Sequence, residues 1–201
     1  MKILGISFSP RKNGNTETLM NEALSGAKQE GAEVELYRFV EHDIKTCDGC
    51  RVCWETGECH IADEMVELCE KMLEADGIIF GTPVYFYSMN GQAKTFMDRT
   101  SVFSRPEKSL ANKVGGVIVT AGSMGLVDVL KDFYFYIVTR QMIPANFVAA
   151  YAGAGGDAGK LEKCIKAAKD MGRQMVLIAQ KKFEYPPKIR RASIAYGTHT
   201  K

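Results

Sequence analysis

The sequence has little excess charge and no long apolar run, and both absences limit what the protein can do. Its 201 residues carry a formal net charge of only +2 at pH 7, which provides no broad basic surface for nucleic acid. No apolar run reaches the roughly 18 residues that a membrane-spanning helix needs, and the N-terminal segment lacks the apolar core and cleavage site of a signal peptide. We therefore expect a cytoplasmic protein with no nucleic-acid partner and no membrane partner.

Common catalytic signatures are missing as well. The sequence has no G-x-S-x-G nucleophile elbow, and the region after the first predicted strand has neither the phosphate loop G-x-x-x-x-G-K-S/T nor the dinucleotide fingerprint G-x-G-x-x-G. The histidines His42, His60 and His199 lack the spacing of a zinc protease or a catalytic triad. We therefore assign no side chain as a catalytic acid, base or nucleophile.

The pattern of apolar residues predicts a single α/β domain. Strands are predicted over residues 2–7, 33–39, 77–81, 113–120 and 146–151, and helices over residues 15–29, 63–74, 88–103, 125–141 and 158–182. Five βα units with short connections indicate a three-layer sandwich around a five-stranded parallel sheet, and the strand number favours the flavodoxin-like order 2-1-3-4-5. We assign residues 1–182 to this domain and residues 183–201 to a C-terminal extension, read as an extended arm.

Cysteine is concentrated in one segment. Four of the six cysteines follow the spacing C-x2-C-x2-C-x5-C, at Cys47, Cys50, Cys53 and Cys59. They lie in residues 42–60, the one long irregular stretch, which we call the cysteine loop; loops of this length in compact domains are usually functional. Thiols this close are shared by a metal centre, joined as disulfides or used as redox thiols, and a cytoplasmic protein is expected to avoid structural disulfides.

The first strand is followed by a cluster of polar residues. Ser9, Arg11, Asn15 and Thr16 precede or begin the first predicted helix. Hydroxyl groups, an arginine and the free amides of a helix N-terminus together favour a phosphate site. The alternative is a turn in which Asn15 or Thr16 only caps the helix.

Two further loops follow strands at the same edge of the predicted sheet. After the third strand come Pro83, Val84, Tyr85, Phe86, Tyr87 and Ser88. After the fourth come Ala121 and Gly122, which permit close backbone approach. Ligands of open α/β sheets bind outside the carboxyl ends of the strands, so the aromatic residues are placed to face a flat ring. The alternatives are that they belong to the core or an interface, and that the second loop is a plain turn.

These loops resemble a known family. The segments at residues 5–16, 81–88 and 94–99, together with the cysteine run, resemble the NAD(P)H-dependent FMN reductase superfamily and, within it, the iron-sulfur flavoproteins of anaerobic archaea and bacteria. The resemblance covers roughly residues 1–155. It implies a flavodoxin-like core, bound FMN, and a homodimer or homotetramer with flavin sites near subunit interfaces.

The resemblance also implies roles for particular residues. Ser9, Arg11, Asn15 and Thr16 are expected to hold the FMN phosphate. The isoalloxazine ring is expected to lie against Pro83, Val84, Tyr85, Phe86, Tyr87 and Ser88, with Ala121 and Gly122 on its other side. One position departs from the family, which usually has glycine at Phe8. We expect this side chain to reshape the phosphate loop or to cover part of the flavin.

In the resembling proteins a compact cysteine run binds a [4Fe-4S] cluster, and the spacing here fits it. Thiolates two residues apart can bind three corners of a cubane, and the turns at Asp48-Gly49 and Thr56-Gly57 help to bring the fourth cysteine to the last iron. A zinc site is less favoured, because zinc sites usually pair two cysteine knuckles that are separated by ten or more residues. Bare or redox thiols stay as the main alternative, whereas Cys69 and Cys164 are expected to be packing residues.

Three functions follow from this reading. The first is electron transfer between FMN and a [4Fe-4S] cluster, to or from a ferredoxin-like carrier or NAD(P)H. The second is an NAD(P)H-dependent flavin or quinone reductase without a cluster, and the third is a redox-sensing flavoprotein without turnover. In the first, Trp54 of the cysteine loop is expected either to shield the cluster from water or to anchor the loop to a neighbouring subunit.

Overall fold

A computed structural model describes residues 1–104 and 109–186 of the chain. The strands are β1 (Lys2–Ser7), β2 (Glu33–Arg38), β3 (Gly77–Tyr85), β4 (Ser88–Met89), β5 (Val114–Ala121) and β6 (Ile143–Tyr151). The helices are α1 (Asn15–Gln29), α2 (Val52–Thr56), α3 (Met65–Glu74), α4 (Gly91–Arg99), α5 (Leu126–Thr139) and α6 (Glu162–Gln180). Short 3-10 turns occur at Phe39–Glu41, Thr100–Ser104 and Asp157–Lys160.

The main strands form the predicted sheet. Their order is β2-β1-β3-β5-β6, all parallel, which is the flavodoxin-like order once the short β4 is set aside. β4 was not predicted: Ser88 pairs antiparallel with Tyr85 and belongs to a hairpin, not to the following helix. The helix begins later because the buried Asn90 caps it, with its Oδ1 accepting a hydrogen bond from the Ala93 amide at 3.1 Å.

The two faces of the sheet are covered by different helices. On β1 the side chains alternate, so that Leu4 and Ile6 pack with α3, α4 and α5, while Ile3 packs with α1 and α6. Every residue of the interior strand β5 is buried. This double coverage is why the strands read as continuous apolar runs in the sequence.

Phe8 lies in the core on the α4 and α5 side. Its side chain is completely buried, and its ring centroid lies 5.0 Å from that of Phe96, 5.5 Å from that of Phe39 and 6.2 Å from that of Phe133. The expectation that Phe8 covers part of a flavin was therefore wrong. The backbone turns so that the side chain next to the polar loop fills the interior, where aromatic burial is most favourable.

Three further features differ from, or extend, the sequence reading. The cysteine loop is not wholly irregular, because it contains the short α2. The C-terminal extension begins against the domain, where the Tyr185 amide donates a hydrogen bond to Asn112 Oδ1 at 3.0 Å; residues 187–201 lie outside the described part. Within the described residues, no helix has the length and apolarity needed to cross a bilayer.

Candidate functional site

A pocket opens at the carboxyl edge of the sheet, where loops after β1, β3 and β5 meet; we call it the edge pocket. Nine of the predicted residues line it: Ser9, Arg11, Asn15, Thr16, Pro83, Val84, Tyr85, Ala121 and Gly122. The remaining wall consists of Thr120, Ala152 and Gly153, of which the two after β6 were missed by the sequence reading. The pocket lies where strand order reverses between β1 and β3, the usual ligand position of this fold.

The N-terminus of α1 opens toward this edge. Its N-cap is Gly14, and among the described residues no side chain caps the helix. The first intrahelical bond runs from the Thr18 amide to the Gly14 carbonyl, at 2.9 Å. The alternative that Asn15 or Thr16 serves as the cap is therefore wrong, and the first amides of the helix are left for an anion.

The side chains of Asn15 and Thr16 fix the walls of the edge pocket. Asn15 Nδ2 donates to the carbonyl oxygens of Ala152 and Ala154, at 2.9 and 2.8 Å, and its Oδ1 accepts from the Ala158 amide at 3.1 Å. Thr16 Oγ1 lies 2.8 Å from Thr120 Oγ1 in a buried pair. Both side chains therefore hold neighbouring loops in place, which leaves their backbone amides to contact a ligand.

A buried ion pair supports the same helix turn. Glu17 is 1% exposed, and its carboxylate accepts hydrogen bonds from Arg38 Nε at 2.9 Å and Nη2 at 2.6 Å. The Arg38 hydrogen bond is the main cause that lowers the pKa of Glu17, although burial opposes it. The ion pair joins the first turn of α1 to the end of β2.

The remaining predicted aromatic residues form the tip of the β3–β4 hairpin rather than the pocket wall. Phe86 and Tyr87 occupy the turn with φ angles of 45° and 68°, and Phe86 is 95% exposed. The two-residue turn thus uses aromatic side chains where glycine or asparagine is usual. Beneath it, a Cβ at Gly125 (φ 93°) would lie 2.6 Å from the Tyr87 carbonyl oxygen, so only glycine fits there.

The four cysteines of the cysteine loop line one cavity of about 290 Å³, the cysteine cavity. Cys47 and Cys50 are exposed and Cys53 and Cys59 are half-buried, all as free thiols. Burial, followed by the neighbouring thiols, raises the pKa of Cys53. The four thiols therefore lie around one cavity, as the sequence spacing predicted.

The turns that form this cavity agree with the sequence reading. Gly49 and Gly57 have φ angles of 73° and 77°, in the left-handed region. Outside the loop, Cys69 and Cys164 pack against the two cores, as predicted for packing residues. Two of the three histidines that the sequence left unassigned serve as hydrogen-bond partners: His60 lies 2.7 Å from Asp48 and His42 lies 2.8 Å from Glu64, whereas His199 lies outside the described residues.

Arg99 was missed as a site residue. It also lines the cysteine cavity, its side chain is fully buried, and its guanidinium forms an ion pair with Asp63 at 2.6 Å. The one signal in the sequence was the position of Arg99 at the end of the 94–99 segment. Nothing local pointed to Asp63, 36 residues away.

Comparison with known proteins gives one consistent result. Residues 1–155 match the family described as NADPH-dependent FMN reductase. An iron-sulfur flavoprotein of Methanocaldococcus jannaschii is 35% identical over 193 residues, covering 90% of this chain and 98% of that protein. Among solved structures, a flavone reductase is similar with a TM-score of 0.71 at 26% identity, covering 90% of this chain and 64% of that one. An archaeal flavodoxin has a TM-score of 0.61 at 17% identity, covering 90% of this chain and 99% of that one, and supports the fold alone.

Proposed function

The chain belongs to the NADPH-dependent FMN reductase family and is an FMN-dependent oxidoreductase, and from that premise we propose that it passes electrons between FMN in the edge pocket and a [4Fe-4S] cluster in the cysteine loop. When bound, FMN supplies hydride and single-electron chemistry and the cluster supplies single-electron transfer. The protein then needs to bind, orient and insulate these groups. This agrees with a sequence that has no catalytic triad.

The donor groups of the edge pocket fit FMN. The uncapped first turn of α1 and the Arg11 side chain suit the phosphate, because both favour an anion. Gly122 and Gly153 form an open cradle in the pocket wall, since a Cβ added at Gly122 would meet only Gly153 Cα, at 3.9 Å. We assign one side of the isoalloxazine to this cradle. We assign Pro83, Val84 and Tyr85 to the other side of the isoalloxazine.

The single observation that supports the cluster most is the convergence of four thiols on one cavity. Cys47, Cys50, Cys53 and Cys59 line it together. Four thiolates are the ligand set of a [4Fe-4S] cluster. The similarity to the iron-sulfur flavoprotein of Methanocaldococcus jannaschii points the same way.

The exposed hairpin bears on the assembly that we propose. Phe86 and Tyr87 do not line the edge pocket of one chain, yet they project beside it. We propose a homodimer or homotetramer in the cytoplasm, in which these rings contact a neighbouring subunit or its flavin. The electron donor or acceptor would be NAD(P)H or a ferredoxin-like carrier.

The decisive experiment is anaerobic purification followed by absorption spectroscopy and metal analysis. We expect flavin bands together with broad absorbance near 400 nm, and about four irons per chain. Flavin bands without iron, in protein reconstituted with iron and sulfide, would favour an NAD(P)H-dependent reductase without a cluster. Flavin that neither a nicotinamide nor a reduced ferredoxin bleaches would favour a redox sensor.

A pair of cysteine variants provides the control. Cys53→Ser should lose the iron and keep the FMN, because it removes one ligand from the cysteine cavity. Cys164→Ser should keep both, because that thiol packs against the α1 and α6 core. Equal iron content in the two variants would show that Cys53 is not an essential ligand.

A further inference from the structure

The base of the cysteine loop is closed by one buried arginine. Arg99 Nη1 donates to the carbonyl oxygen of Lys45 at 2.6 Å, and Nη1 and Nη2 donate to the Asp63 carboxylate at 2.6 and 2.8 Å. Nη2 also lies 3.5 Å from the carbonyl oxygen of Ile61. Lys45 comes just before the first cysteine and Ile61 just after the last, so one guanidinium joins both ends of the loop.

Asp63 completes the closure. Its Oδ2 accepts from the Lys45 amide at 2.9 Å and its Oδ1 accepts from the Met65 amide at 3.1 Å. The side chains of Arg99 and Asp63 are 0% and 3% exposed. Burial alone would raise the pKa of Asp63, but hydrogen bonds from Arg99 and from both amides lower it, so the pair is charged.

The same arginine lies beside one of the predicted ligands. Arg99 and Cys59 both line the cysteine cavity. Arg99 Nε is buried and has no hydrogen-bond partner among the described residues. A buried N–H group without a hydrogen-bond partner is unusual, because buried polar groups are normally hydrogen-bonded.

We propose that Arg99 is a positioning residue for the metal centre: with Asp63 it fixes the two ends of the cysteine loop, and it places a buried positive charge beside the cysteine cavity. The role rests on the proposed function, since the group that it serves is the [4Fe-4S] cluster. A cluster with four thiolates is negatively charged, so a desolvated cation beside it favours the reduced state and slows the loss of iron.

Three variants test this role. Arg99→Gln removes the charge, Arg99→Lys keeps the charge but not the two-pronged geometry, and Arg99→Gln/Asp63→Asn avoids leaving a carboxylate buried alone. Arg38→Lys is the matched control, because Arg38 makes the same two-pronged bond to Glu17 away from the loop. Folding of each is checked by circular dichroism and by FMN content.

The first readouts use the loaded protein. Against a ferrous chelator, Arg99→Gln and the double variant should release iron about tenfold or more faster than the wild type. Their reduction potential should fall and the electron paramagnetic resonance spectrum of the reduced protein should change, with Arg99→Lys intermediate in potential. Arg38→Lys should match the wild type in all three.

A second readout needs no metal. In metal-free protein, hydrogen exchange at the Lys45 and Met65 amides should be faster in Arg99→Gln and in the double variant than in the wild type. Wild-type iron content of about four per chain, with unchanged release, potential and spectrum in folded variants, would overturn the role of Arg99 and leave the proposed function standing. A wild-type protein that binds no iron would overturn the proposed function. If hydrogen exchange at the Lys45 and Met65 amides were also the same in the variants and the wild type, the closure of the loop by Arg99 would be overturned as well.

Discussion

In the edge pocket the side chains around the ligand space are fixed by the core, whereas in the cysteine loop they are fixed mainly at the base. Thr16 and Ser9 are buried, and Asn15 joins loops that are more than 130 residues apart in sequence. In the cysteine loop two thiols are exposed. The walls of the edge pocket are therefore held by the core, while the cysteine loop is held by the core mainly at its base.

The strongest test of this contrast removes core support from the edge pocket. Phe8→Ala should lower the free energy of unfolding by about 3–5 kcal/mol, because a fully buried ring is deleted. FMN affinity should fall as well, although Phe8 does not line the pocket, because its buried ring anchors the backbone next to Ser9, which does line it. Urea unfolding and flavin titration measure the two effects.

The conservative Phe8→Leu variant is the control and should lose distinctly less stability. A loss below about 1 kcal/mol in Phe8→Ala would show that the ring contributes little to the core, since large cavities in cores are more destabilising than that.

The second test concerns the ion pair behind the pocket. Glu17→Gln should lower the free energy of unfolding by about 1–3 kcal/mol at pH 7, because Arg38 loses a buried charged partner. The pKa of Glu17 is lowered in the folded state, so its contribution is complete above the unfolded value of about 4.3 and is lost as the pH falls through the folded value. The stabilities of the wild type and of Glu17→Gln should therefore begin to converge as the pH falls below the unfolded value of about 4.3.

Urea unfolding across pH 3 to 7 provides the measurement. A stability difference that stays constant down to pH 3 would mean that hydrogen bonding to Arg38, and not the charge of Glu17, accounts for the loss. A difference that grows on acidification would contradict the lowered pKa.

The sequence predicted which loops form the edge pocket and which cysteines form the cysteine cavity, but it did not predict how the cysteine loop is closed, and the reason is physical. Parallel strands bring their carboxyl ends together, so polar residues after separate strands could be placed at one edge from topology alone. The loop closure by Arg99 and Asp63 follows no local period, since these residues meet only through the path of α4. Phe8 was misplaced because a residue at the end of a strand can face either the core or the loop, and its neighbours in sequence do not decide which.

A smaller effect is expected from the proposed contact between Arg11 and the FMN phosphate, because Arg11 is exposed. Arg11→Ala should weaken FMN binding about tenfold, or about 1.4 kcal/mol, and leave the free energy of unfolding within about 0.5 kcal/mol of the wild type. Riboflavin, which lacks the phosphate, should bind both proteins equally. Fluorescence titration at two salt concentrations should also show a weaker salt dependence for the variant.

If Arg11→Ala weakened the binding of FMN and of riboflavin equally, Arg11 would be assigned to the isoalloxazine ring and not to the phosphate. In that case the positive charge of Arg11 would not select for the phosphate of the ligand, and the division of roles between the charged side chain and the buried pocket walls would not hold.

The smallest effect on folding is expected in the cysteine loop itself. Trp54 is 55% exposed, and its ring lies 5.2 Å from the Arg51 guanidinium carbon. Trp54→Ala should therefore change the free energy of unfolding by less than about 1 kcal/mol. Because Trp54 forms part of the wall of the cysteine cavity, its removal should nevertheless speed the loss of cluster absorbance in air, and Trp54→Phe should restore the wild-type rate. Unchanged bleaching, with a lower oligomeric mass by light scattering, would instead assign the ring to a contact between subunits.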